Sequence, residues 1–303
     1  MTASAPILWP PHLKTGDKVR FISPASTPDR EEVLRRARII EAWGLKVDFG
    51  EHAFKTLSYL AGTDEERLSD LNSALRDPEV RGVFTTRGGK GSYRIADGID
   101  FDAARQDPKF LIGFSDITIL HLSLWKHCRL IGVHGNLYTA AGPIGRENEK
   151  ALRHVLMTAA PISIQARDDE PTSALTTTGK ATGRLIGGNL EMIATAAGWA
   201  LPRLDSAILV IEDTNKWQGA IDRPLTMLRK AGHLDGLAGI AVGQFTNFEF
   251  DVVGLLRDHL ERLNVPILGG LPLGHGTEPH SVPIGAVATL DESSGDLAIT
   301  IGA

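Results

Sequence analysis

Between residues 18 and 133 the chain alternates short apolar runs with longer stretches whose apolar positions recur every three or four residues. Runs at 18–23, 45–49, 80–85, 110–112 and 130–133 have strand length and end in polar or glycine-rich turns, so they predict strands, the one at 110–112 buried. The stretches between them have helical spacing. One runs from about Asp29 to Trp43 and stops at Gly44, with Thr27 and Pro28 read as its cap and first-turn proline. A second opens on Thr63-Asp-Glu-Glu66, a capping box, and sets Leu68, Leu71 and Leu75 on one face. A third covers Ile117 to Lys126. This alternation predicts a parallel sheet with helices on both faces.

Residues 167–182 are polar and aperiodic and read as a linker, dividing the chain into 1–166 and 183–303. Beyond it, Gly183-Arg-Leu-Ile-Gly-Gly-Asn189-Leu reads as opening a helix to about Ala197. A strand at 207–211 ends at Glu212-Asp213. A helix at 221–230, an apolar run at 239–243, a helix near 252–263 and a run at 266–269 follow. Residues 283–290 and 296–301 read as an antiparallel hairpin. The expected class is α/β: an N-terminal Rossmann-like parallel sheet domain and a smaller mixed α/β C-terminal domain.

The 303 residues leave room for two cores, and 42% hydrophobic with 23% charged residues is an ordinary soluble composition. A net charge of −5 offers no basic face for nucleic acid. The single cysteine, Cys128, excludes an intramolecular disulfide and a cysteine-rich zinc site, and reads as a buried thiol. No two histidines have metal-ligand spacing on a helix, so no metal or other cofactor is expected. Residues 1–11 have no basic, apolar leader pattern, and no run is long enough to span a membrane. A cytoplasmic protein is the expectation.

Ser115 stands in Leu111-Ile-Gly-Phe-Ser-Asp-Ile-Thr118, where a strand turns sharply into a helix. Such a turn projects a hydroxyl from the sheet edge beside the free amides of the helix, as a nucleophile requires. The pattern is only G-x-S, and the competing reading is a serine N-cap. Arg87-Gly-Gly-Lys-Gly-Ser92 is not a Walker loop, because Gly91 separates Lys90 from Ser92. Its consecutive glycines let backbone N–H groups approach a ligand oxygen, as an oxyanion hole needs; the alternative is a plain turn. Glu212 and Asp213 should point to opposite sides of their strand, so at most one faces a site shared with Ser115, and a solvated strand end is the alternative. His275, between Gly274 and Gly276, has the freedom a general base requires; His134 and His280 compete with it. The loops at 87–92, 115–118 and 134–136 all follow strands, where α/β sheets bind ligands.

Taken together, Gly16-Asp-Lys-Val-Arg-Phe-Ile-Ser-Pro-Ala25, Arg87-Gly-Gly89, Gly113-Phe-Ser-Asp-Ile-Thr118, Val133-His-Gly135, Gly187-Gly-Asn-Leu190, Ile211-Glu-Asp213, Ile221-Asp-Arg223 and Gly274-His-Gly276 resemble the LD-carboxypeptidases, which include the microcin C immunity peptidases. The resemblance covers nearly the whole chain. It implies a serine peptidase with Ser115 as nucleophile, His275 as general base then acid, and Glu212 orienting the histidine. The oxyanion donors it implies are the backbone N–H groups of Gly89 and Asp116. It further implies a homodimer and, as substrate, the L,D bond of a murein tetrapeptide, cut to release D-alanine during cell-wall recycling. Arg87, Gly88, Lys90, His134, Asn189 and Arg184 are the candidates for holding such a peptide.

Three positions depart from the family pattern: Lys90 stands where tyrosine is common, Asn136 where proline follows His-Gly, and Ala220 where an aromatic precedes Ile-Asp-Arg. The resemblance implies that these lie in the pocket and bear on the choice of substrate. The alternative is an immunity-type activity, cutting the amide that joins a peptide or amino acid to a nucleotide-like group. Trp199 and Trp217 could stack on a base there, although buried packing is the commoner role of tryptophan. A non-catalytic peptide-binding protein is the reading of another class.

Overall fold

The computed structural model describes residues 6–137 and 143–302. Residues 1–5, part of the segment read as carrying no leader, lie outside the described residues. In chain order the first elements are β1 (Lys18–Ile22), α1 (Arg30–Ala42), β2 (Lys46–Phe49), α2 (Asp64–Arg76), β3 (Val80–Thr85), α3 (Phe101–Gln106), β4 (Phe110–Gly113), α4 (Thr118–Cys128), β5 (Gly132–His134) and α5 (Pro143–Met157). There follow β6 (Ile162–Gln165), β7 (Lys180–Asn189), α6 (Leu190–Ala196), β8 (Ala207–Thr214), α7 (Gly219–Lys230), β9 (Gly239–Thr246) and α8 (Val252–Leu260). The chain ends with β10 (Ile267–Leu268), β11 (Val282–Ile284), β12 (Val287–Asp291) and β13 (Asp296–Thr300).

Two sheets organise the molecule, in the order β11-β5-β4-β3-β1-β2 and β10-β9-β8-β7-β12-β13-β6. β1 to β5 are parallel, and β11 closes their edge antiparallel to β5. The strand order reverses between β1 and β3, the crevice where such sheets hold ligands. In the second sheet β7 to β10 are parallel, while β12, β13 and β6 are antiparallel. The expected α/β class and two-part architecture are observed.

Local signals explain most element ends. The Thr63 capping box is formed, its hydroxyl accepting from Glu66 N and the Glu66 carboxylate from Thr63 N. At α1 the cap is Asp29, not Thr27: Asp29 accepts from Glu32 N, while the Thr27 hydroxyl donates to Leu60 O in the loop between β2 and α2. Proline at 28 leaves the carboxylate one residue later as the group closest to the free amides. α4 is apolar nearly all round and is buried from Thr118 to Trp125. It packs against α6 and β7, so the helix that follows Ser115 serves as core for both sheets.

The expected linker is ordered. Thr172 donates to Gly243 O, Leu175 is buried, and 180–182 already belong to β7. Thr172 bonds to the backbone of β9, Thr177 accepts from Ile267 N in β10, and Thr176 accepts from Gly269 N just beyond it. Sheet membership also crosses the expected boundary, since β6 joins the second sheet and β11 the first. The helix expected from Gly183 starts only at Leu190. Residues 183–189 are strand, with the 185–189 end buried on both sides, so no alternation marks them.

Candidate active site

Ser115 begins a single helical turn, Ser115–Ile117, between β4 and α4, with φ at +62°. A left-handed serine is unusual, and here it lifts the side chain out of the turn, as a strand-to-helix elbow does. The hydroxyl caps neither this turn nor α4, which sets the N-cap reading aside. The glycine loop is built around it. A Cβ on Gly88 would stand 2.9 Å from Ser115 Cβ and 3.0 Å from Phe114 O, so only glycine lets the loop lie against the elbow. Ser26, following β1, accepts from Lys90 N at 3.0 Å and holds the loop from the other side. Asp116 completes the lock: its buried Oδ2 accepts from Ser92 N at 2.8 Å and Ser92 Oγ at 2.7 Å. Burial raises the Asp116 carboxyl above its ordinary range despite these bonds.

The second sheet supplies the facing groups. Glu212, on β8, is fully buried, and its Oε2 lies 2.6 Å from His275 Nδ1. The histidine loop is fastened to β9 by Gln244 N donating to Leu273 O and Gln244 Nε2 to Thr277 O. Gly274 has φ at +105°, and a Cβ there would fall 2.5 Å from Glu212 Oε2. Glycine is therefore required for both conformation and space. Burial pulls the His275 imidazole down, but the bond to Glu212 and the carboxylates of Glu212 and Asp213 outweigh it, leaving its pKa above 6.5.

The two halves meet on one cavity of about 90 Å³, bordered by Gly89, Asp116, Ser115 and His275 together with Asn189, Glu191, Asp213 and Lys216. Larger hollows exist, of about 330 Å³ beside α5 and about 410 Å³ beside Trp217, but neither joins a hydroxyl elbow to a carboxylate-bound imidazole. Among the described residues no group of three His, Cys, Asp or Glu could hold a metal ion, and no helix is long and apolar enough to cross a membrane.

The signature of the LD-carboxypeptidase N-terminal domain matches residues 19–135, and that of the C-terminal domain matches 182–290. Over 97% of this chain and 94% of the relative, the sequence is 34% identical to the probable murein peptide carboxypeptidase of Bacillus subtilis. The chain belongs to the LD-carboxypeptidase family. Membership makes it a serine carboxypeptidase by class. It is also 30% identical to the murein tetrapeptide carboxypeptidase of Pseudomonas aeruginosa, over 90% of this chain and 93% of that one. To the microcin C7 self-immunity protein MccF of Escherichia coli it is 26% identical, over 99% and 97%. The fold is that of MccF in its wild-type apo state (TM-score 0.87, 23% identity, 97% and 98% covered) and of the muramoyltetrapeptide carboxypeptidase from Oxalobacter formigenes (TM-score 0.81, 23% identity, 94% and 99% covered).

Of the other residues expected in this LD-carboxypeptidase, Asn189 and Lys90 border the cavity and the rest do not. Asn189 caps α6 and donates to Asp213 Oδ1 at 3.2 Å. Lys90 is exposed at the cavity mouth, its Nζ 3.9 Å from Glu191 Oε1. Arg87 is exposed and reaches Thr27 O, Gly88 lies beneath the elbow, Arg184 donates to Gly285 O, and none of the three borders the cavity. His134 is buried behind Glu212. His280 borders a small hollow beside His134. Trp199 and Trp217 are 38% and 66% exposed, not buried packing.

Two features were not anticipated. Glu212 and Asp213 are both buried, not a solvated strand end, and both serve the site. Of the two only Asp213 borders the cavity, as the strand alternation predicts, while Glu212 acts from behind through His275; the β8–β9 register shifts between Ile211 and Asp213. Burial and the neighbouring Glu212 raise Asp213 to about 6. Lys216, bound to Glu191, borders the cavity; lying past the strand's expected end, it had no signal in the sequence.

Proposed function

We propose that this LD-carboxypeptidase hydrolyses the L,D-peptide bond of a murein tetrapeptide and releases D-alanine, with Ser115, His275 and Glu212 as its triad. The observation that carries this reading is the Glu212-bound imidazole opening on the same cavity as the left-handed Ser115. His275, bonded through Nδ1, has Nε2 free to take the serine proton as Oγ attacks the scissile carbonyl. The N–H groups of Gly89 and Asp116 receive the developing oxyanion, each such donor contributing about 3–4 kcal/mol. Collapse passes the proton from His275 to the leaving amine, and water then repeats the sequence on the acyl-serine. Lys216 and Lys90, flanking Glu191, provide positive charge at the mouth for the terminal carboxylate of the peptide.

The names of the Bacillus and Pseudomonas relatives support this substrate. The MccF relative supports a second reading, in which the leaving group is nucleotide-like. The exposed Trp217 favours it, since its hollow of about 410 Å³ shares Lys216 with the reactive cavity and offers a ring for stacking. A cytoplasmic homodimer is the compartment and assembly the family resemblance implies.

Product analysis decides between the two. Purified protein is mixed with a murein tetrapeptide and, separately, with a peptidyl sulfamoyl-adenosine, and products are read by mass spectrometry. Release of D-alanine from the first supports the carboxypeptidase. Cleavage of the second alone transfers the reading to the immunity type, and cleavage of neither removes both.

A further inference from the structure

Behind the Glu212–His275 pair lies a set of buried polar atoms that the triad does not use. Glu212 gives only Oε2 to His275; Oε1 is buried without a hydrogen-bond partner among the described residues. Facing it, His134 Nε2 stands 3.9 Å away on a ring that is 1% exposed and, among the described residues, has neither nitrogen bonded. Leaving a buried carboxylate oxygen and an imidazole both unpaired costs several kcal/mol, and native proteins rarely do so. The two are complementary: one is an acceptor, the other a donor once its proton is on Nε2. About 1 Å of approach brings them to hydrogen-bond length.

We propose that His134 is a positioning residue for Glu212, its Nε2–H directed at the carboxylate oxygen that His275 leaves free. The proposal rests on the triad reading above. His134 ends β5 in the first sheet, pairing there with Gly113 of β4 and Val282 of β11, whereas Glu212 belongs to the second sheet. The contact therefore ties the strand beside the nucleophile's own to the acid of the opposite sheet. Phe114, next to Ser115, lies between the two histidines, with its ring centroid 4.7 Å from that of His275 and 6.1 Å from that of His134. A Cβ on Gly188 would press on His134 Nδ1 at 2.9 Å, so the far side of the ring is closely packed as well. Complete burial keeps His134 neutral, at about 3, and a neutral ring can donate without adding a charge.

The test reads both rate and pH profile. The titratable groups bearing on the pair are His275, Asp213, Lys216 and His121. In His134→Leu the Glu212 charge acts on His275 unshared, so His275 keeps its proton to higher pH. The expected result is a kcat reduced about tenfold or more, KM within about twofold, and the acid limb of kcat/KM moved up. His134→Gln, which restores an N–H donor, recovers most of kcat and the original limb. A wild-type rate and profile in His134→Leu overturns the proposal. So does a limb that moves down in both variants, the sign of a merely loosened Glu212. Nitrogen-15 NMR of the wild-type protein is independent of either variant's folding: a neutral Nε2–H tautomer from pH 5 to 8 is expected, and a proton on Nδ1 or titration in that range overturns the role. Turnover surviving in Ser115→Ala would overturn the triad and this proposal with it, whereas the tautomer result bears on His134 alone.

Discussion

Glu212 and His275 stand 63 residues apart in the chain and are joined by a 2.6 Å contact between Oε2 and Nδ1. The bond holds the imidazole ring at the edge of the cavity. In the proposed triad it also sets the pH at which His275 can act as base. Because the His275 pKa is raised, kcat/KM should climb with pH and pass half-maximum above pH 6.5. Asp213 contributes to that rise through its charge, so Asp213→Asn should move the acid limb down. A pH–rate profile of the two proteins checks both signs.

Gly88 tests the elbow from beneath. In Gly88→Ala the new methyl meets Ser115 Cβ at 2.9 Å and Asp116 N at 3.2 Å, so the turn or the glycine loop must shift by a few tenths of an ångström. Displacement of a nucleophile on that scale is expected to lower kcat by about tenfold to a hundredfold. Thermal unfolding should change far less, because the methyl disturbs the site and not the core. Steady-state kinetics beside a melting curve separates the two effects.

Thr63 supplies the opposite case. Thr63→Ala removes the capping box of α2, which lies outside the cavity. Stability should fall by about 1 kcal/mol with kcat unchanged, as measured by urea unfolding and by turnover.

Local chemistry made the parallel sheet and its turns readable. The Thr63-Asp-Glu-Glu66 box, the break at Gly44 and the apolar runs of β1 to β4 each act over a few residues, and the structure follows them. Ser115 could be singled out because a strand pattern passes into a helix pattern at one residue. What escaped depends on tertiary context. β7 is buried on both faces over its second half, so no period distinguishes it from the helix after it. Residues 167–182 are polar, yet the hydroxyls of Thr172 and Thr177 bond to strand backbones, which composition does not disclose. Asp213 borders the cavity beside the shift in β8–β9 register, and Lys216 borders it bound to Glu191, 25 residues earlier. Neither relationship is local.

Turnover of murein tetrapeptide by Ser115→Ala beside the wild type measures directly whether Ser115 is the nucleophile. The wild type is expected to release D-alanine and the variant to lose about 10⁴-fold or more of that rate, with its melting curve unchanged. Equal release by both proteins would contradict that role.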